Sequence, residues 1–337
     1  MPMKIRDHRF LIVGGASLVG SHIADQLLAA GAAHVTLLDN YALGSPASVE
    51  HLLDHPRATV VKGDVLRMNE MIEAAHDMDG VFQVAAFLAG PIAANHWVGL
   101  DVNVRGVQNV LEACRIQGVK KVIYSSTVGI YGNAGKLPLI DEETPFMIDG
   151  VSPTMMLYST SKLLGEQLCR FYAERHGLEF LSLRYSSVYG DRQHTHSINA
   201  LHIVEMYRDI LSGRPPVVIG DGTEVHDYVF VDDVARANLL AMESDTTGEC
   251  MTIATGQARS LNDVAKILLE IEGSSLQPDY RESSGRLAFT SSAHLNYSRA
   301  KAERVIGWVP QVFLKDGIEK FARWYRKSAD EASAKAS

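Results

Sequence analysis

The chain has 337 residues, 46% of them hydrophobic, with 32 Lys and Arg against 40 Asp and Glu for a net charge of -8. That is enough apolar material for a large core in two regions, and with no Lys/Arg block it excludes a nucleic-acid partner and argues against a membrane surface. Cys114, Cys169 and Cys250 are scattered, odd in number and without a CxxC pair, which reads as reduced, buried thiols of a cytoplasmic protein rather than disulfides or zinc ligands.

At the N-terminal end, Lys4, Arg6 and Arg9 precede the apolar FLIVGGASLVG, but His22 and Asp25 follow at once and no small-residue cleavage pattern appears. The segment is therefore not read as a targeting signal, and no run reaches the ~18 apolar residues of a membrane span. RFLIVGG, HVTLLDN, ATVVKGD, GVFQVAA, KKVIYSS and FLSLRYSSVYG are short runs rich in Val, Ile, Leu or Phe and read as strands. Between them, SHIADQLLAAG and DVNVRGVQNVLEACRIQG read as helices, each closed by a glycine that suits a helix C-terminus. Nearly continuous apolar strands alternating with helices predict a parallel sheet covered on both faces, an α/β doubly wound Rossmann domain over residues 1–189. Beyond Tyr189 the rhythm breaks into the shorter units RDILSGRPPVVIGDG, DYVFVDDVARANLLAM and SLNDVAKILLEIEG. These predict a smaller, mainly substrate-binding domain over 190–326, woven onto the first rather than strung after it. Residues 327–337, KSADEASAKAS, are small and polar and are expected to fray.

RFLIVGGASLVGSHIADQLLAAG has the order strand, glycine turn, amphipathic helix. Gly14, Gly15 and Gly20 stand where a tight turn frees backbone N–H groups at a helix N-terminus to meet a pyrophosphate. The next strand ends in LLDN, which puts Asp39 about 20 residues beyond the turn, in reach of an adenosine ribose. A 2′-phosphate there would face like charge, so NAD is favoured over NADP. Ser17 occupies the position where a third close-approach glycine is expected, which would loosen the pyrophosphate contact. Farther on, YSTSK sets Tyr158 and Lys162 about one helical turn apart, on one face.

These motifs, with others in the same order, resemble the extended short-chain dehydrogenase/reductase family, specifically its NAD-dependent epimerase/dehydratase group. VGGASLVG matches the family's glycine motif, LLDN its acidic strand end, GDV its adenine-side Asp, QVAAF its nicotinamide-side strand and VNVRGVQNVLEA its helix Asn. YSSTVGIYG matches the Ser/Thr strand and YSTSK the YxxxK pair, while LRYSSVYG, DGTEVHDYVFVDDVARA and VIGWVP match later signatures. The resemblance implies that NAD is contacted by Gly14, Ser17, Leu18, Val19, Gly20, Asp39, Asn40, Asp64, Val65, Ala85, Ala86, Phe87, Asn103, Ser125, Tyr158, Lys162, Tyr185 and Val188. It implies Tyr158 as the base that removes a hydroxyl proton while hydride leaves the carbinol carbon, with Lys162 on the nicotinamide ribose and Thr127 on the substrate oxygen. A Lys ammonium and a cationic nicotinamide nearby would pull the phenol down from its ordinary value of about 10. The family's dimer helices correspond to residues 100–117 and 159–176, so a homodimer is expected.

Four features bear on the reaction and its substrate. Family members that eliminate water or carbon dioxide carry an acid directly after the Thr, whereas Val128 and Gly129 follow Thr127 here. A nucleotide-sugar epimerase acting at the 4-position is therefore the leading expectation. His226 stands where the nucleotide-sugar enzymes grip the diphosphate with Arg, and an imidazole is mostly neutral at pH 7. Ser187 replaces a substrate-contacting Asn, and residues 154–157 are additional just before Tyr158, with Met155 and Met156 either lining a pocket or filling core. Arg281 or Arg286 would compensate for His226, so Thr127, Ser187, His226 and Arg286 form the expected substrate set. The alternative is an NAD-dependent dehydrogenase or epimerase of a smaller, non-nucleotide hydroxy substrate. His194 and His196 have an i, i+2 spacing but no Cys or paired acids beside them, so no metal is expected, and the acidic turn of Asp141, Glu142 and Glu143 reads as solvated.

Overall fold

Strands buried on both faces build the centre of the molecule. In the computed structural model, which describes residues 3–193, 200–282 and 295–336, β1 (Arg9–Val13), β2 (His34–Asp39), β3 (Ala58–Lys62), β4 (Gly80–Gln83), β5 (Lys121–Thr127) and β6 (Glu179–Tyr185) lie parallel. Successive side chains go to opposite faces. Phe10, Ile12, Val35, Leu37, Phe82 and Ile123 join one core with α1 (Leu18–Ala29). Leu11, Val13, Leu38, Val81, Val122 and Tyr124 join a second, which is covered by α2 (Met68–Ala74), α5 (Val107–Gln117) and α6 (Pro153–His176). Two short helices, α3 (Ala89–Ala94) and α4 (His96–Leu100), follow β4.

Several boundaries differ from the sequence reading. α1 begins three residues earlier than SHIADQ, because Ser17 caps it: the Ser17 hydroxyl accepts the Gly20 N–H at 3.1 Å and donates to Gly14 O at 2.6 Å. Ser17 thus holds the turn together. The helix expected over 101–118 opens with a π-helical turn, Asp101–Gly106, before α5 and closes on a left-handed Gly118. Residues 154–157 are the first turn of α6, begun by Pro153 and capped by Ser152, whose hydroxyl accepts the Met155 N–H at 3.3 Å.

The run FLSLRYSSVYG breaks at Ser186, whose N–H goes to Ile253 O and whose hydroxyl donates to Asp227 Oδ1 at 2.9 Å. β6 therefore ends in the large sheet, while β7 (Ser187–Tyr189) starts another. The remaining described elements are α7 (Leu201–Leu211), β8 (Val217–Ile219), β9 (Val225–Phe230), α8 (Val231–Glu243), β10 (Glu249–Ile253), β11 (Ala258–Ser260), α9 (Leu261–Ile271), β12 (Asp279–Arg281), α10 (Ala300–Ile306) and α11 (Leu314–Ala336). β10 pairs with β6 as a seventh parallel strand that the sequence reading did not predict, and α8 packs on α1. Late elements are thus built into the first domain's sheet and cover. β7, β9 and β11 form a three-stranded sheet in the order β11-β9-β7.

Trp308 of VIGWVP is fully buried and donates to Asp233 O at 2.8 Å, which fastens this motif to α8. The stretch expected to fray from residue 327 lies in α11, which runs to Ala336. Ala, Glu, Lys and Asp in that stretch carry little penalty in a helix that has already started.

Candidate active site

The large sheet has the order β3-β2-β1-β4-β5-β6-β10, so direction of winding reverses between β1 and β4. In an open parallel sheet that reversal leaves a crevice outside the strand ends. Gly14 closes its floor at φ +86, and a Cβ there would stand 2.7 Å from Ala85 N, just beyond β4. A Cβ on Gly20 would stand 2.3 Å from Gly14 O. Only a bare backbone fits this turn, which leaves room for a pyrophosphate over the N-terminus of α1. Asp39 stands at the end of β2, 7% exposed, and its carboxylate accepts the N–H groups of Ala16 at 2.9 Å and Tyr41 at 2.8 Å. Burial raises its pKa while those two N–H groups work the other way. The bare turn, the helix N-terminus and the acid at the next strand end together fit NAD.

Beside the crevice, the end of β5 meets α6. Lys162 is buried and donates from Nζ to Ser125 O at 2.8 Å, with the Tyr124 ring 5.1 Å away. Tyr158, one turn earlier, shares a hydrogen bond with Thr127, whose Oγ1 also accepts the Gly129 N–H at 3.0 Å. Burial pushes the Tyr158 phenol up to about 12, with the Thr127 hydrogen bond pulling it down. This is the reverse of the expected lowering: Lys162 is aimed at a carbonyl, and burial lowers its own pKa to about 7. The Glu166 carboxylate opposes that loss of charge.

Glu166 stands one further turn along α6 and is fully buried. It accepts from Ser126 Oγ at 2.6 Å and Cys250 Sγ at 3.4 Å, and holds Arg184 through Nε at 3.0 Å and Nη2 at 2.8 Å. Arg184 Nη1 continues to Tyr131 OH at 3.1 Å. Sequence reading overlooked both residues. The available signal was the i, i+4, i+8 series Tyr158, Lys162, Glu166 on the stripe of α6 that faces β5.

The three-stranded sheet carries the remaining expected substrate residues that the structure describes, Ser187 and His226. His226 Nε2 meets Glu224 Oε1 at 2.8 Å, and its Nδ1 lies 3.5 Å from Ser187 Oγ, the edge of hydrogen bonding. His202, from the start of α7, was also overlooked. Its ring lies 5.5 Å from that of His226, and its Nε2 is 2.7 Å from Tyr228 OH.

The other expected site residues divide into three groups. Leu18 and Val19 form the first turn of α1, and Ala86 lies in the loop after β4. Asn40 Oδ1 accepts the Ala42 N–H at 2.9 Å, and Asp64 Oδ1 the Leu66 N–H at 2.9 Å. A second group is engaged in structure. Asn103 exchanges hydrogen bonds with the Phe87 backbone at 2.7 and 2.9 Å and donates to Ser161 Oγ at 3.1 Å. Tyr185 OH bonds Ser125 Oγ at 3.1 Å and Asn238, while Val65 and Val188 pack in the cores. Met155 joins Ala89, Ile92 and Tyr158 in a small cluster, so it is core that also backs Tyr158. Finally, Arg286, His194 and His196 lie outside the described residues, and Arg281 is paired with Asp279. The acidic turn is not simply solvated: Glu142 Oε1 accepts the Thr252 N–H at 2.6 Å.

Residues 10–254 match the NAD dependent epimerase/dehydratase family. The chain is 31% identical over 326 residues to a putative UDP-glucose 4-epimerase of Methanocaldococcus jannaschii, covering 94% of this chain and 98% of that one. The structure is similar to that of a UDP-glucose 4-epimerase with UDP-glucose from Thermotoga maritima, with a TM-score of 0.85, 30% identity, and coverage of 95% and 99%. It is also similar to a Thermus thermophilus UDP-glucose 4-epimerase complex with NAD, with a TM-score of 0.81, 28% identity, and coverage of 94% and 99%.

Proposed function

The chain belongs to the NAD dependent epimerase/dehydratase family, and on that premise we propose that it is an NAD-dependent nucleotide-sugar epimerase, inverting the sugar 4-position through a transient keto intermediate. The observation that carries this reading is the pairing of Tyr158 with Thr127 beside Lys162, with Val128 and Gly129 where an eliminating enzyme would need an acid.

A nicotinamide held in the crevice supplies reversible hydride acceptance. Thr127 orients the substrate hydroxyl, because its Oγ1 is already fixed by the Gly129 N–H. Tyr158 takes the hydroxyl proton and returns it once hydride comes back to the other face of the sugar. With its phenol pushed up to about 12, Tyr158 is mostly protonated at neutral pH, so the phenolate that takes the proton forms only where a nearby positive charge favours it. Lys162, held by Ser125 O and backed by Glu166, is the protein's own source of that charge.

Incubation with NAD and UDP-glucose, UDP-N-acetylglucosamine or UDP-glucuronic acid, read by proton NMR, tests the reading: the 4-epimer should form without net NADH. Accumulating NADH with a keto product would mark a dehydrogenase instead. His226 and Ser187 favour the second reading, a smaller hydroxy substrate without a nucleotide. A melting series with NAD and each of UDP, GDP, ADP and dTDP separates the two, since no rise with any of them removes the nucleotide.

The same reading includes a homodimer through α5 and α6. Leu157, Leu164 and Phe171 support it, being 38%, 43% and 52% exposed at seven-residue intervals along α6. Sedimentation equilibrium tests it. Residues 1–189 as cofactor domain and 190–326 as mainly substrate domain, in a cytoplasmic protein with three buried free thiols, complete the proposal.

A further inference from the structure

One face of the three-stranded sheet carries a row of polar side chains. Ser187 on β7 is in register with Tyr228 on β9, and His226 on β9 is in register with Arg259 on β11. Directly opposed residues of antiparallel strands share a face, their Cβ atoms about 4.5–5.5 Å apart. Arg259 therefore stands beside His226 on the face that carries Ser187. Asp227 is turned the other way, into the N–H groups of Thr255, Gly256 and Gln257.

A diphosphate diester is anionic at every pH at which the protein folds, so a site that holds it needs a cation that does not titrate. His226 does not meet that need. Its Nε2 is engaged by the Glu224 carboxylate at 2.8 Å, so that nitrogen already faces an anion. Arg259 is exposed, and its Nη2 donates to a neutral acceptor, Gln257 Oε1, at 3.1 Å. A guanidinium has five N–H donors in a planar fork, so that contact leaves the charge and most of the donors available. Arg281 is neutralised by Asp279, and Arg299 Nη1 is directed to Thr255 O.

We propose that Arg259 is a diphosphate-binding residue of this site, with a permanent cation supplied from the strand next to the one that carries His226. This assignment rests on the nucleotide-sugar reading above. The row then divides the work: Ser187 and His226 contact neutral oxygens of the substrate, and Arg259 binds the phosphates.

Isothermal titration of the NAD-loaded full chain with UDP, and with GDP, ADP and dTDP, tests this against Arg259→Gln, Arg259→Lys and, as a surface control, Arg281→Gln. Arg259→Gln should weaken binding of whichever nucleoside diphosphate the wild type takes by about tenfold or more. Arg259→Lys should weaken it less, and Arg281→Gln should leave it unchanged. The double variant His226→Arg/Arg259→Gln should recover most of the loss by moving the cation one strand over. Thermal melts with NAD alone should match the wild type for every single variant. Binding by Arg259→Gln within about twofold of wild type would overturn the assignment while leaving the nucleotide-sugar reading intact. Failure of the wild type to bind any of the four would instead overturn that reading, and the assignment with it.

Discussion

The buried carboxylate of Glu166 is where a single change should cost most. Glu166→Gln keeps the side-chain volume and removes the charge shared by Ser126, Arg184 and Cys250. The Arg184 side chain is 9% exposed and would keep one amide oxygen at position 166, Tyr131 OH at 3.1 Å and Glu142 O at 3.4 Å, all uncharged. Removing one partner of a buried ion pair costs about 3–5 kcal/mol, because the other charge is left uncompensated. With an unfolding entropy of about 2.1 cal/mol/K per residue, a loss of about 4 kcal/mol over this chain lowers Tm by about 6 °C.

Differential scanning calorimetry measures that directly. The double variant Glu166→Gln/Arg184→Met removes the orphaned charge as well, and should regain a large part of the loss. A catalytic readout separates positioning from stability alone. Glu166 opposes the burial that lowers Lys162, so without it the ammonium gives up its proton at lower pH. The alkaline limb of the kcat/KM profile should move to lower pH in Glu166→Gln. A single variant melting within about 1 °C of wild type, or an alkaline limb that does not move, would refute the account of this network.

Three further outcomes follow from the same geometry. Tyr158→Phe should lower kcat by about 10²–10⁴, the usual weight of a general acid–base group, while NAD still raises the melting temperature; retained turnover would remove Tyr158 from the chemistry. Gly20→Ala places a Cβ 2.3 Å from Gly14 O and should abolish stabilisation by NAD, about 2.7 kcal/mol at a hundredfold excess over Kd, as read by melts with and without the cofactor. His22 is lowered from 6.5 to about 4, chiefly by burial. The unfolded chain therefore binds a proton that the folded one refuses between those values, and stability should fall by up to about 3 kcal/mol as pH drops through that window. Urea midpoints above and below pH 6.5 should show a shallower loss in His22→Gln, and equal slopes would refute the assignment.

The parts of the fold that depend on local pattern were legible. Apolar runs such as RFLIVGG and KKVIYSS have one stable use, a strand buried on both faces, and VGGASLVG announces its turn because a Cβ on Gly14 or Gly20 would strike backbone. Features decided by distant partners were not. FLSLRYSSVYG carries no sign that Ser186 will be drawn to Ile253 and Asp227, which splits the run between two sheets. ECMTI, as β10, is a strand because it docks on the exposed edge of β6.

Burial escaped the sequence for the same reason. Glu166 in KLLGEQ looks like any helix-surface acid until Arg184 arrives from β6. The motif resemblance singled out Tyr158 and Lys162, but the directions of their pKa shifts come from how deeply β5 and α6 bury them.

That burial also explains why the proposed catalytic groups stand on a strand and a helix rather than a loop. Three consecutive residues at the end of β5 each hand a contact to α6. Ser126 faces the helix and gives its hydroxyl to Glu166; Ser125 gives its carbonyl to Lys162; Thr127, at the strand end, meets Tyr158. The helix residues recur at four-residue intervals, so a single stripe of α6 reads successive positions of one strand. Ser125 then ties the strand to β6 through Tyr185 OH, and Arg184 of β6 ties in the helix through Glu166. A reacting hydroxyl must sit within hydrogen-bond reach of Tyr158 and Thr127 together, and misplacement of about 1 Å can cost a hundredfold in rate. Elements locked by several buried contacts hold that geometry more tightly than an exposed loop. On the proposed reading, substrate choice falls to the second sheet, where His226, Ser187 and Arg259 stand on other elements than the β5–α6 contact.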